Sequence, residues 1–252
     1  MKNRNRIIVA AMLLGVALAV SAQRRVGSFT IQPKVGMTVS SMTNNPQMGV
    51  QILTYKEGSA MGEDFTFTTG GEEVKLEGVS FAGIKEKIGL VAGAEAEYQV
   101  SRRLGLSAGV LYSMQGARYN DFHGNNIAVT DTKIRLEYIN IPIMANFYVV
   151  KGLALKAGLQ PAFCVKNEIK GDVTVRVDEG WNLYAAQAVM PDFKTFDLSV
   201  PVGVSYEYNN FVIGAMYNIG LTNVFSGNWD GDKKPSARNS VWQITLGYNV
   251  EL

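Results

Sequence analysis

The chain has 252 residues, 47% hydrophobic and only 18% charged, against roughly a quarter charged in ordinary soluble domains. That length allows one large β domain. A net charge of +2, with no Lys/Arg run outside the first six residues, excludes an electrostatic footprint for nucleic acid.

The start, "MKNRNRIIVAAMLLGVALAVSAQ", carries Lys2, Arg4 and Arg6, then an apolar run from Ile7 to Val20, then Ser21 and Ala22. This order of basic, apolar and small residues predicts a secretory signal peptide over residues 1–22, cleaved after Ala22. Its apolar run is shorter than the roughly 20 residues a spanning helix needs. After it no apolar stretch is long enough to cross a membrane as a helix, so membrane residence has to come from strands.

From Ile31 onward about eight segments alternate with a period of two. The first, Ile31 to Ser41, sets Ile31, Pro33, Val35, Met37 and Val39 against Gln32, Lys34, Gly36, Thr38 and Ser40. The second, Lys87 to Val100, sets Leu90, Ala92, Ala94, Ala96 and Tyr98 against Gly93, Glu95, Glu97 and Gln99, and the third spans Leu104 to Ser113. The fourth, about Lys133 to Val149, changes phase. Ile134, Leu136 and Tyr138 share one face, then Ile139, Ile141, Ile143, Ala145, Phe147 and Val149 share one, and a β-bulge near Tyr138 and Ile139 is expected to reconcile them. The fifth to eighth are Leu153 to Phe163, Leu198 to Tyr208, Phe211 to Gly220 and Val241 to Leu252.

The connections alternate as well. "SRR" after Val100, "VKG" after Val149 and "NN" after Tyr208 are tight, whereas Met42 to Glu86, Met114 to Thr132, Cys164 to Lys194 and Thr222 to Asn239 are long. In the first long loop "FTFTTGGEEVKLEGV" reads as a hairpin around Gly70 and Gly71. Its arms of about five residues fall short of the 9 to 11 that a spanning strand requires, so the count is eight, with ten as the alternative.

Two architectures share such a pattern with opposite orientation: a soluble barrel with a greasy interior and an outer-membrane barrel with a greasy exterior. Three features favour the second. About 10 residues at roughly 3.3 Å each, tilted by about 40 to 45°, rise about 23 to 25 Å, the height of a membrane barrel's apolar band. The polar face is crowded with glycine, including Gly36, Gly93, Gly105, Gly109, Gly158, Gly203 and Gly247, which weakens a water-facing strand but suits the narrow lumen of an eight-stranded barrel. Aromatic residues gather at both ends of the greasy faces: Tyr98, Tyr206, Tyr208, Phe211 and Tyr248 toward the tight turns, and Tyr112, Phe163, Tyr217 and Trp242 toward the long loops. The expected fold is all-β: a transmembrane antiparallel up-and-down barrel of about eight strands over residues 23–252, with extracellular long loops and both termini periplasmic.

The stretches "IQPKVGMTVS", "EYINIPIMANFYV" (Glu137 to Val149), "LKAGLQPAF" (Leu155 to Phe163) and "VGVSYEYNNFVIGAMYNIGLTNV" (Val202 to Val224) resemble the PorT-like outer membrane protein β-barrel domain family, small barrels of the OmpA/OmpX type. The resemblance covers nearly the whole chain after the signal. It implies the outer membrane of a Gram-negative cell, outer-membrane lipid as surroundings and the barrel-assembly machinery as a partner during biogenesis. The terminal "TLGYNVEL", with Thr245, Gly247, Val250 and Leu252, resembles the signal that this machinery reads. The namesake of the family is associated with protein secretion and the maturation of exported enzymes.

Little catalytic chemistry is visible. Lys34, Glu95, Glu97, Lys156 and Glu207 are expected near the tight-turn end of the lumen, and Lys87, Arg135 and Glu137 near its loop end, as a paired structural plug rather than a solute path. A hydrolase would need a base, and His123, beside Asp121 in "YNDFHGNN", is the only histidine; a plain loop is the reading adopted. Asn228, Asp230 and Asp232 in "NWDGDKKP" alternate as calcium ligands do, but Gly231 and the missing terminal Glu break the pattern. Cys164 is read as a small strand-end residue. No catalytic residue, metal or cofactor is assigned, and function is expected in the long loops, which bear Tyr55, Phe65, Phe67 and Phe81 and are suited to a protein or glycan partner.

Overall fold

The computed structural model describes residues 25–56, 74–124, 127–176, 179, 181–189, 192–226 and 236–252. The expected signal peptide (residues 1–22), Phe65, Phe67, Gly70, Gly71 and the Asn228, Asp230, Asp232 stretch lie outside them. The strands in chain order are β1 (Phe29–Met42), β2 (Met48–Lys56), β3 (Val74–Phe81), β4 (Ile84–Lys85), β5 (Lys87–Gln99), β6 (Leu104–Tyr119), β7 (Phe122–His123), β8 (Ile127–Asn140) and β9 (Ile143–Val150). They continue with β10 (Leu153–Val175), β11 (Trp181–Val189), β12 (Asp192–Phe193), β13 (Phe196–Tyr208), β14 (Phe211–Gly220), β15 (Phe225–Ser226), β16 (Asn239–Tyr248) and β17 (Val250–Glu251).

Eight antiparallel staves close into a ring. β1 pairs β5, β5 pairs β6, and β6 pairs both β8 and β9, which are successive halves of one stave. β10 pairs that stave and β13. β13 pairs β14, β14 pairs β16, and β16 returns to β1 with β17 completing the last stave.

The tight turns occupy one rim. Asn209 and Asn210 have φ of 47° and 68°, the left-handed pair that a two-residue I′ hairpin demands and that asparagine accepts best after glycine. Replacing both by alanine is expected to cost about 1–2 kcal/mol per residue, while Asn210→Gly leaves the unfolding midpoint in place. An unchanged midpoint in the double alanine variant would contradict the turn assignment.

The alternation resolves with its greasy side outward. Val35 (58%), Leu106 (51%), Leu159 (53%) and Ile244 (59%) are exposed, while Thr38, Ser107 and Gln243 on the opposite faces are buried. An isolated soluble domain would forfeit about 1.5–3 kcal/mol for each large side chain left in water, so this surface is built for acyl chains. The aromatic ends form two girdles, tied by edge-to-face contacts of Phe211 with Tyr248 and of Phe163 with Phe196 and by a tilted Tyr217–Trp242 pair. Inside, space is so short that a Cβ on Gly36 would meet the Ile244 carbonyl oxygen, and one on Gly109 would lie 2.5 Å from Glu95 Cγ.

The fourth stave corrects the expected bulge. Its alternation runs unbroken through Tyr138 (inward), Ile139 (outward), Asn140 (inward) and Ile143 (outward). What changes is the medium, not the phase: Ile134, Leu136 and Tyr138 are greasy and face inward, whereas Ile143, Phe147 and Val149 are greasy and face outward. A register shift does lie at this height, but in the partner strand: β10 pairs Cys164 with Tyr138 and Lys166 with Glu137, leaving Val165 extra, while β8 hands over to β9 at Ile141 and Pro142. Above that level the barrel leaves the lipid and acquires a soluble protein's polarity, with an apolar core of Met42, Tyr119, Val129, Ile134, Leu136 and Phe225 among others.

Two loops meet above the ring. β2, β3 and β11 form a separate three-stranded sheet, in which β2 pairs both β3 and β11. Of the hairpin expected around Gly70 and Gly71, the first arm lies outside the described residues and the second falls on β3, which pairs β2; Tyr55 lies on β2 and Phe81 on β3, and neither strand joins the ring. The sheet connects the loop after β1 to the loop after β10, staves that stand opposite one another in a ring of eight.

Candidate functional site

From the tight-turn rim upward the lumen is a stack of hydrogen-bonded polar layers, in which Asn146 Oδ1 and Asn239 Oδ1 are among the few buried oxygens left without a partner. At the rim Gln32 Nε2 donates to Asn249 Oδ1 (2.8 Å) and Asn249 Nδ2 to Glu207 Oε2 (2.7 Å). Glu97 accepts from Asn146 Nδ2 (2.8 Å) and from the Tyr148 hydroxyl (2.5 Å). Glu95 is shared by two ammonium groups, Lys34 Nζ at 2.5 Å and Lys156 Nζ at 3.2 Å, and all three side chains are 8% exposed. β1, β5 and β10 supply these ions, and Gly109 on β6 leaves the room that Glu95 occupies. Beside them remains a cavity of about 20 Å³, bounded by Leu111, Met144, Met216 and Gln243, the space of a single water molecule.

Higher in the barrel Asn140 Nδ2 donates to Ser113 Oγ (2.7 Å), and Asn239 Nδ2 donates to Asp197 Oδ2 (2.7 Å) and to the Tyr138 hydroxyl (3.2 Å). Asp197 also accepts from the Thr222 hydroxyl and from the Leu198 amide. The apolar core closes the stack, and there the buried Tyr119 hydroxyl donates to the Pro46 carbonyl (2.9 Å). Its burial raises the phenol's pKa above the ordinary value.

The five ions expected near the tight-turn end are thus luminal, and Lys34, Glu95 and Lys156 among them form one cluster. Lys87 is half-buried and donates to the Gln115 carbonyl (3.0 Å). Arg135 and Glu137 are not luminal. They alternate with the inward Ile134, Leu136 and Tyr138, so they point away from the lumen, and Glu137 there accepts from the Tyr112 hydroxyl (2.6 Å). The misplacement follows from the polarity inversion, because where water replaces lipid the polar face is the outer one.

Of the other candidates, His123 is exposed on β7, where its neighbour Asp121 accepts the Asp131 amide (3.0 Å). Cys164 is half-buried in β10, and its thiol donates to the Lys166 carbonyl. Among the described residues no group of His, Cys, Asp and Glu has the arrangement of a metal site.

Sequence reading missed the outer face above the greasy band. Arg135 lies 3.7 Å from both Glu137 and Glu168, Lys166 reaches the same two carboxylates at 3.9 and 4.0 Å, and Lys170 is 3.1 Å from Glu168. Asp131 takes Lys133 at 2.6 Å and Arg118 at 3.4 Å. The hydrogen bond from Lys133 holds the Asp131 carboxyl below the usual carboxylate range. The signal available in the sequence was the run of charges facing outward opposite Ile134 and Leu136, legible only once the inversion is known.

Residues 21–226 match the family described as outer membrane protein beta-barrel domain, and the chain belongs to that family. It is an outer-membrane β-barrel. No curated protein matches it in sequence. Among solved structures it is similar to Ail, the attachment invasion locus protein of Yersinia pestis, in complex with the heparin analogue sucrose octasulfate, at 13% identity over 90% of this chain and 100% of that one (TM-score 0.40). It is also similar to OprG from Pseudomonas aeruginosa, at 12% identity over 92% and 98% (TM-score 0.39). Neisserial surface protein A is a third similar structure, at 13% identity over 89% and 97% (TM-score 0.36).

Proposed function

We propose that this barrel is a non-catalytic, non-conducting scaffold that holds a binding surface, built from its long loops, outside a Gram-negative cell. In this reading residues 1–22 are removed on export, the barrel-assembly machinery inserts the chain, and both termini stay in the periplasm. Short periplasmic turns and long extracellular loops are the usual arrangement of such barrels. The observation that carries the reading is the three-stranded sheet β2, β3 and β11, which ties together loops rooted on opposite staves. A rigid scaffold that spends two long loops on one shared sheet presents a defined surface, while the ion cluster and the apolar core fill the path beneath it.

In a planar bilayer the purified protein is expected to give no stable single-channel current. A large, steady conductance would overturn the plugged-lumen part of the reading and favour a narrow solute channel. His123→Ala is expected to change no lipid or peptide hydrolysis, and a measurable loss would revive a hydrolase.

A photo-crosslinker at Thr54 of β2, used in the native envelope and read by mass spectrometry, tests the binding surface. A protein or glycan adduct supports it, and no adduct leaves a purely structural barrel. The secretion role of the PorT-like proteins is the finer alternative. It expects adducts to export components from the turn rim, at Arg102 or Lys151, rather than from β2.

A further inference from the structure

The mouth of the lumen at the tight-turn rim opens into a recess of about 210 Å³, whose lining includes Arg25, Thr30, Glu207, Asn249 and Glu251. Its inner end is fixed. Thr30 and Asn249 are buried, and Asn249 is held between Gln32 and Glu207 by hydrogen bonds of 2.8 and 2.7 Å. The two charged residues nearest the chain ends are positioned by backbone. Ahead of β1 the Ser28 amide donates to the Arg25 carbonyl (3.2 Å) and Gly27 has φ of 83°, a left-handed turn residue that suits glycine. The Gly27 amide donates to the Gln99 carbonyl (2.8 Å) and the Gln99 amide to the Ser28 carbonyl (2.9 Å), which fastens that turn to β5. On the other side of β1, Glu251 is set by its pairing with Thr30.

Ions that brace this barrel meet their partners, as Glu95 meets Lys34 and Lys156. Arg25 and Glu251 do not. They line one recess with opposite charges, yet among the described residues neither side chain takes part in an ion pair or a hydrogen bond. The guanidinium therefore keeps its N–H donors, and the carboxylate its acceptor sites, for a third party. A molecule that carries one carboxylate and one ammonium group can satisfy both with charge-assisted hydrogen bonds. Glu207 adds a second carboxylate to the wall. The recess holds on the order of ten or more water-sized sites and falls below the roughly 300 to 1,000 Å³ of drug-sized pockets, so its ligand is small.

We propose that this mouth binds a small zwitterion, a free α-amino acid or an unblocked di- or tripeptide, with Arg25 on its carboxylate and Glu251, beside Glu207, on its ammonium group. That the site faces the periplasm rests on the reading above that the tight turns lie there; the binding itself does not. The cluster of Lys34, Glu95 and Lys156 fills the lumen above the recess, so the ligand enters and leaves by the same mouth. The site is a receptor and not a stage in passage across the membrane.

The test titrates glycine, diglycine and triglycine onto the refolded full barrel in uncharged detergent, read by ligand-observed NMR. At least one of the three is expected to bind saturably, and its N-acetyl and amide forms, which lack one charge each, about tenfold or more weaker. The length that binds best tells a free amino acid from a peptide. R25Q is expected to weaken the zwitterion about tenfold and leave the amide form unchanged, whereas E251Q weakens the zwitterion and leaves the N-acetyl form unchanged. Both variants are expected to unfold with the parent, since neither side chain is paired within the fold. No saturable binding of any of the three, or equal binding of blocked and unblocked forms, overturns the proposal. Lys151→Cys in a Cys164→Ala background, probed with an impermeant maleimide, tests the compartment separately. Labelling only after the outer membrane is permeabilised supports a periplasmic site; labelling of intact cells sinks that orientation and leaves the binding result standing.

Discussion

Exchanging Glu95 for glutamine is expected to destabilise the folded barrel by about 3–5 kcal/mol, the cost of breaking a buried ion cluster by removing one partner. The change is nearly isosteric, so packing is conserved and the loss is electrostatic. Lys34 and Lys156, each 8% exposed, lose the carboxylate they share and are left facing one another. Replacing the whole cluster, as K34M/E95L/K156M, is expected to be neutral or to stabilise by up to about 4 kcal/mol, because desolvation of the ions offsets most of their attraction. Denaturant unfolding from lipid vesicles, under conditions where refolding is demonstrated, measures both. If E95Q unfolds with the parent, water reaches the cluster and the lumen is not closed.

The second large effect is on the outer wall. Leu159→Arg is expected to cost about 2–4 kcal/mol in vesicles, the price of a guanidinium near the middle of the bilayer. Leu159 is 53% exposed, four residues below Phe163 of the loop-side girdle and four above Leu155, whose cross-strand partner is Phe147. Lys133→Leu, on the same outward face but above the band, is expected to stay within about 0.5 kcal/mol. A barrel facing water throughout would accept the arginine as readily as the leucine. Equal midpoints for the two variants would therefore place both positions in one medium.

Much of this fold is legible in the chain because a strand's period of two and a membrane's two media reinforce each other. Val35, Leu106, Leu155 and Ile244 sit where the alternation puts them, and Asn209 and Asn210 announce their turn. The fourth stave shows the limit. Periodicity reports which residues share a face, and hydrophobicity reports which face avoids water, so a strand that rises out of lipid reverses its pattern without reversing its phase. Hydrophobicity alone consequently places Ile134, Leu136, Arg135 and Glu137 on the wrong sides. The pairing of β2 with β11 was not legible at all, since it joins segments more than a hundred residues apart through backbone hydrogen bonds that no local pattern encodes. The ion pairs of the outer face inherit both difficulties, because Arg135, Glu137, Lys166 and Glu168 meet only through the register of β8 with β10.

Site-directed nitroxide labelling in vesicles reads orientation directly. Labels at Leu106, Leu159 and Ile244 should relax strongly with lipid-dissolved oxygen and weakly with an aqueous nickel chelate. Labels at Lys133 and Lys170 should do the reverse. Should the first three report water, or all five report the same medium, the greasy faces do not meet lipid and the barrel is not a membrane-spanning one.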